Sequence, residues 1–359
     1  YDRLSRAILI HVLRSPRSMK ISRRRFLVAG IAGAVATTSA GYAAYRMGTS
    51  IEPKEPPEKS KVFIIGASNR KESIKILLGR LDISKFNDAR VALKANYNSA
   101  DPFPASTHVD TLRAIAEGLK GVSAAQLTLA ERSGMGDTRR VLEARGVMQI
   151  SKELGLEVIV LDDLPADSWV EIKPEGLHWA RGFKLPKFLV EADKVVQTCC
   201  LKTHRFGGHI TMSLKNSVGL VPRRDPGGLY DYMAELHTSP FQRLMIAEIN
   251  RFYNVDLVIM DAAEVFVRGG PDRGELVKSN LILASDDRVA LDAVGVALLR
   301  SYGTTAEVMK GRIFDLEQIS RAAELGVGVE SASAMELVPL DANGESATRT
   351  IQEILDSQG

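Results

Sequence analysis

Residues Cys199 to Pro222, CCLKTHRFGGHITMSLKNSVGLVP, gather two histidines, two lysines, an arginine and an asparagine around the pair Gly207-Gly208. Imidazole and amine side chains in one Gly-punctuated segment suit general acid/base transfer, anion binding, or metal ligation through His. Within it His204 and Lys215 are candidates for catalysis, and Lys202, His209 and Asn216 for holding a ligand or cofactor. His204 and His209 stand five residues apart, which does not put both on one helix face, so a two-histidine metal site would need a loop. Histidines satisfied by structural partners would account for the same pair.

Two further segments carry polar groups behind apolar strands. Asp261 follows Asp256-Leu-Val-Ile-Met260, and a carboxylate at the end of such a strand either completes an active site or caps the next turn. Glu131 to Thr138, ERSGMGDT, offers backbone amides at a helix start, with Ser133 and Gly134 positioned to meet a carboxylate or phosphate. An ordinary turn with Asp137 as N-cap is the alternative. Asp287 reads as a helix cap, and Asp292, one turn inside that helix, needs a buried partner.

These groups must be carried by alternating strands and helices. Val62–Ile65, Arg90–Lys94, Gln126–Ala130, Glu157–Leu161, Lys194–Thr198, Asp256–Met260 and Leu281–Ala284 read as strands. Val109, Leu112, Ile115 and Leu119 keep helical spacing behind Thr107, and Val141–Leu154 reads as one helix ending at Gly155. Helices are also expected at Phe241–Phe252, Val289–Ser301 and Phe314–Leu325. The alternation predicts an α/β fold, a layered and largely parallel sheet with helices on both faces. One domain is expected over residues 61–340, with 341–359 as a tail or short helix.

The net charge of +3 comes from the N-terminus, where residues 1–45 hold eight of the 47 Lys and Arg but one of the 44 Asp and Glu. Removing them leaves 39 bases against 43 acids, a net of −4, and such a chain has no electrostatic footprint for nucleic acid. Met19 is the expected start, with residues 1–18 an upstream extension. Ser22-Arg-Arg-Arg-Phe-Leu27 and the mild apolar run to Ala44 match a twin-arginine export signal, cleaved or kept as an anchor, over residues 19–45. Contact with the twin-arginine translocase, membrane contact through this segment alone, and an extracytoplasmic location follow as expectations. Residues 46–60 read as a Pro-rich linker. Cys199 and Cys200 are adjacent, which disfavours a disulfide, and two cysteines are too few for an iron–sulfur cluster or a Cys-based zinc site.

A set of short motifs carries a family resemblance. Lys94-Ala-Asn96, the Thr107 helix start, Glu131-x-Ser-Gly134, Leu201-Lys-Thr-His204, Thr211-x-Ser-Leu-Lys-Asn216-x-x-Gly219, Asp261-Ala, Gly270-Pro-x-x-Gly274 and Asp287-x-x-Ala-x-Asp292-Ala together resemble the domain of unknown function 362 family over residues 60–330. That resemblance adds Lys94 and Asn96 to the residues expected to hold a ligand or cofactor. Many members resemble fusions to ferredoxin-like iron–sulfur modules with Cys-x-x-Cys runs; this sequence lacks those cysteines, so a bound cluster is not implied and a ferredoxin-like partner is left as an expectation. Arg288 stands where the family pattern has Pro. The order His204, Gly207-Gly208, Lys215, Gly219 is also distantly similar to nickel-pincer lactate racemases, where a His moves the proton and a Lys carries the cofactor. On that similarity His204 or His209 is the acid/base and Lys215 an attachment point.

The residues name no metal and no cofactor. They point to an exported enzyme acting on a small anionic or carbonyl-containing molecule, with the loop from Lys202 to Lys215 as acid/base and anion site. An extracytoplasmic anion- or metal-binding protein, or a subunit of a redox complex, would use the same residues.

Overall fold

Seven segments rich in Val, Ile and Leu become the strands of one sheet in a computed structural model that describes residues 59–359. The strands are β1 (Ser60–Gly66), β2 (Arg90–Lys94), β3 (Gln126–Glu131), β4 (Glu157–Val160), a separate hairpin of β5 (Trp169–Ile172) and β6 (Phe183–Pro186), then β7 (Lys194–His204), β8 (His209–Thr211), β9 (Leu257–Gly269), β10 (Gly274–Ser285) and β11 (Met335–Pro339). Apart from the hairpin they form a nine-stranded sheet in the order β11-β1-β10-β9-β7-β2-β3-β4, with β8 added to β7. The β1–β11, β2–β3, β2–β7, β3–β4 and β7–β9 pairs are parallel, whereas β10 runs against both its neighbours and β8 against β7. The fold is α/β, layered and largely parallel.

Helices include α1 (Arg70–Arg80), α2 (Val109–Gly121), α3 (Thr138–Ala144), α4 (Val147–Leu154), α5 (Ser213–Asn216), α6 (Tyr232–Thr238), α7 (Gln242–Ile249), α8 (Arg288–Ser301), α9 (Glu317–Glu324) and α10 (Ala342–Gln358). Period-2 alternation sorts them onto two faces. Leu257 and Ile259 of β9 join Ile74, Leu77, Leu112 and Ile115 of α1 and α2 in one core, while Met260 faces Gly295 of α8. Every residue of α8 from Arg288 to Arg300 is buried, and burying each of its larger aliphatic side chains stabilises the fold by about 1.5–3 kcal/mol.

The expected single helix Val141–Leu154 is broken at Gly146, whose φ of 72° lies in the left-handed region that glycine enters without strain. Residues 341–359 are more than a tail, because α10 packs along β1, β11 and α8. Among the described residues no helix is long and apolar enough to cross a membrane. The twin-arginine segment, the upstream extension and the linker up to residue 58 lie outside the described residues.

The parallel strands create a particular crevice. The chain lays β2, β3 and β4 outward in one direction, then returns to add β7 and β9 on the other side of β2. Loops leaving β2 and β7 therefore diverge, and the gap at their carboxyl ends is where ligands of open α/β sheets collect.

Candidate active site

At that switch point the carboxyl ends of three adjacent strands each deliver a buried ionisable side chain: Lys94 from β2, Glu131 from β3 and Lys202 from β7. Two asparagines tie them together. Lys94 Nζ donates to Glu131 Oε1 at 2.6 Å, to Asn216 Oδ1 at 3.2 Å and to the Ala95 carbonyl, which uses all three of its protons. Lys202 Nζ donates to Asn96 Oδ1 at 3.0 Å and to the Pro104 and Ala105 carbonyls, which uses all of its own. Asn96 Nδ2 donates to Asn216 Oδ1 at 3.3 Å, and Asn216 Nδ2 donates to the Thr198 carbonyl, so neither asparagine can flip without losing partners. Glu131 also accepts from the Tyr97 and Arg132 amides. Burial pushes the Lys94 ammonium down and the Glu131 carboxyl up, and their pairing opposes both shifts.

Lys215 differs from these two lysines. It sits on the single turn of α5, half-buried, and its Nζ has neither a hydrogen bond nor an ion pair among the described residues. Burial, and then the charges of Lys202 and Arg132, bring its pKa down to about 7, so much of the amine is neutral at physiological pH. His204, at the end of β7, has its Nδ1 buried without a partner. Burial and then Lys215 and Lys202 hold its pKa well below the usual histidine value. A Cβ on Gly208 would stand 2.7 Å from Lys215 Cε and 3.0 Å from His204 Nδ1, so both groups pack against the same bare Cα and a side chain there would displace the end of Lys215.

These groups open into a cavity of about 470 Å³ lined by five basic side chains, Lys94, Arg132, Lys202, Lys215 and Arg223, against two carboxylates, Glu131 and Asp231. Its wall includes His237, whose Nδ1 lies 2.7 Å from the Met233 carbonyl. Arg132 is buried and spans the turn after α5, donating to the Val218 and Val221 carbonyls at 2.9 and 2.8 Å. The arrangement can bind an anion, present a neutral amine to an electrophile and move a proton at an imidazole. Among the described residues no group of three or more His, Cys, Asp or Glu side chains is placed to hold a metal ion.

The structure brings His204, Lys215, Lys94, Asn96, Gly134, Lys202 and Asn216 to this cavity. It does not bring Asp261, Ser133 or His209. Asp261 faces the α1–α2 layer, where it accepts from Arg70 Nε at 2.9 Å and from Thr111 Oγ1. Ser133 Oγ donates to the Tyr97 carbonyl. His209 pairs with His204 across β7 and β8 but does not line the cavity. The expected Lys202–Lys215 loop is in fact strand, turn, strand and helix: Lys202 and His204 extend β7 because β8 and β9 supply partners opposite them. Glu131 and Arg132, within the segment read as an anion-binding turn, were missed as site residues, as was His237. Their signal was position, since Glu131 ends a strand adjacent to the one that ends in Lys94.

Comparison with known proteins follows this geometry. The family model described as Domain of unknown function (DUF362) matches residues 91–297, from β2 into α8. The chain belongs to the DUF362 family. No match was found among functionally curated proteins. Among solved structures, the lactate racemase apoprotein from Thermoanaerobacterium thermosaccharolyticum is similar at 14% identity with a TM-score of 0.42, over 67% of this chain and 57% of the racemase. The match thus spans little more than half of that protein's length.

In this DUF362 protein the placement of Lys215 depends on a carboxylate 77 residues further along the chain. Asp292 of α8 accepts the Ser213 and Leu214 amides, each at 2.9 Å, and burial raises its pKa to about 6. Asp292→Ala orphans two buried N–H groups at about 1–3 kcal/mol each. Thermal denaturation is expected to show the lower midpoint, together with slower modification of Lys215. Asp261→Asn, by contrast, weakens the Arg70 pairing, lowering stability by about 1–3 kcal/mol, while chemical modification of Lys215 proceeds at the wild-type rate. A loss of modification in Asp261→Asn would return Asp261 to the site.

Proposed function

We propose that this protein is an enzyme acting on a small anionic molecule that carries a carbonyl group, with Lys215 as the nucleophilic amine and His204 as the proton carrier. One observation carries the reading: of three lysines at one cavity, two spend every proton on protein oxygens and the third, Lys215, spends none. Saturated ammonium groups set the potential that attracts an acid, and a partnerless amine with a depressed pKa is the group that attacks. Attack of the neutral amine on the carbonyl carbon gives a carbinolamine. The nitrogen proton of the first adduct passes through the unpartnered Nδ1 of His204 to the oxygen, loss of water gives an imine, and a proton taken up from solvent makes it an iminium. The bound carboxylate or phosphate is held by the cationic floor while this happens.

The test is reductive trapping. Protein is incubated with pyruvate and with phenylpyruvate in the presence of cyanoborohydride, which delivers hydride to the iminium and leaves a stable secondary amine. A mass increase that maps to Lys215 is the expected result. An anion-binding protein without catalysis would give no adduct with any oxo acid, and that outcome overturns the enzymatic reading.

The same reading takes the protein out of the cytoplasm, supported by Ser22-Arg-Arg-Arg-Phe-Leu27 and the apolar run that follows. Residues 19–60 fused to a folded reporter are expected to export it through the twin-arginine translocase, and Arg23→Lys with Arg24→Lys to retain it inside.

A further inference from the structure

We propose that the ligand of this cavity is an aryl carboxylate, with an acidic head and a flat aromatic body, rather than a short hydrophilic acid. The proposal rests on the reading of the cavity as an anion site and names the class of anion. The cavity's deepest side chains are charged or polar, with Lys202 0%, Asn216 2% and His204 7% exposed. Its more exposed lining includes two large apolar side chains, Met135 at 42% and Phe206 at 49% exposure, which share the mouth with the exposed Arg223 and His237. Val218 and Met233, both largely buried, continue the apolar wall.

Large apolar side chains left half in water at the entrance of a charged cavity are covered when a ligand enters. A three-carbon acid held at the cationic floor would leave both Met135 and Phe206 wet. A molecule with its acid on the floor and a ring at the mouth covers both, and about 470 Å³ is within the roughly 300–1,000 Å³ range of sites that bury ligands larger than a three-carbon acid. Two details favour an aromatic body over an alkyl chain. The Phe206 ring carries the Arg205 guanidinium 4.4 Å from its centroid and meets His204 edge-on at 5.8 Å, yet about half of it stays open to a second ring. Met135 lines the same cavity, and a thioether packs favourably against the edge of an aromatic ring.

Calorimetric titration of the full chain with 3-phenylpropionate and with propionate tests this. Neither probe has a carbonyl, so neither can form an adduct with Lys215. The aryl acid is expected to bind about thirtyfold more tightly than propionate. Phe206→Ala and Met135→Ala should each erode that preference by about five- to tenfold, with propionate affinity and melting temperature unchanged, because both side chains are exposed. Equal affinities, no detectable binding of 3-phenylpropionate, or a preference untouched by both variants would overturn the proposal. The two readings fail separately. Discrimination between the probes without trapping of any oxo acid removes the enzyme and keeps the aryl ligand, whereas equal trapping of pyruvate and phenylpyruvate without discrimination does the reverse.

Discussion

Lys215→Met protein is expected to lose all adduct formation with oxo acids and, at pH 6, to melt at a higher temperature than the wild type. Both effects come from the same placement. The Lys215 ammonium is pressed into a partly dry cavity beside Lys202 and Arg132, which lowers its pKa to about 7 from the 10.5 of an unhindered lysine. Below pH 7 the lysine is protonated in both the folded and the unfolded chain, and the folded state bears the full cost of holding a poorly solvated charge. Between about 7 and 10.5 the unfolded chain binds the proton and the folded one does not, so wild-type stability rises with pH across this window. Above it both forms are neutral and the cost is gone. Methionine, similar in length and uncharged, removes the cost at every pH, so the difference in melting temperature is greatest at pH 6 and closes toward pH 10. Adduct formation in the wild type follows the neutral amine and rises through pH 7. A Lys215→Met protein that melts lower than the wild type at pH 6 would mean that the charge has a partner, and the nucleophile would have to be sought elsewhere.

The second large effect is expected at the floor. Lys94→Met leaves the Glu131 carboxylate buried with backbone amides as its remaining donors, and Glu131→Leu leaves the Lys94 ammonium with neutral acceptors alone. Breaking a buried pair from one side costs about 3–5 kcal/mol. Each single variant is therefore expected to unfold at markedly lower urea concentration. The double variant Lys94→Met with Glu131→Leu, which removes both charges together, should recover most of that loss, because a buried pair is worth far less against an apolar replacement than its broken halves suggest. Urea midpoints of the three proteins give the coupling directly; additive losses would show that the two side chains do not act as a pair. Gly219 lies over the pair, where a Cβ would stand 3.1 Å from Lys94 Nζ and 3.2 Å from Glu131 Oε1.

The sequence made the sheet legible where strands are buried on both faces. Leu257–Met260 and Leu281–Ala284 are unbroken apolar runs, and every residue of both is buried. It hid the elements whose burial is slight or whose length is short. Helix α1 reads RKESIKILLGR and buries only Ser73, Ile74, Leu77 and Leu78, too narrow a stripe to stand out. Helix α10 buries only Gly344, Ile351 and Leu355 of its 17 residues, and β8 is three residues long. The end of β7 reads as loop because Lys202 and His204 break the apolar run, and the three-residue β8 that pairs with it is too short to register as a strand.

The site was legible in part for a related reason. Residue type alone singled out His204, Lys202 and Lys215, since basic groups crowded around glycines are conspicuous in any reading. Asp261 carried the same kind of signal and sits instead under α1 and α2, paired with Arg70. What separates them is the strand order, which no local pattern contains: β2 and β7 are neighbours whose paired residues stand 103 apart in the chain, and the crevice exists only because they are.

The charged floor of the cavity is built on strand ends that register with their neighbours, whereas Met135 belongs to the β3–α3 connection and Phe206 to the β7–β8 turn, where side chains can be exchanged without disturbing a hydrogen-bonded ladder. On the proposed function, reactivity and selectivity would thus be housed in structurally independent parts of one pocket. A designer could re-tailor which acid enters by rewriting two turns, and selection acting on the same scaffold would meet as little resistance.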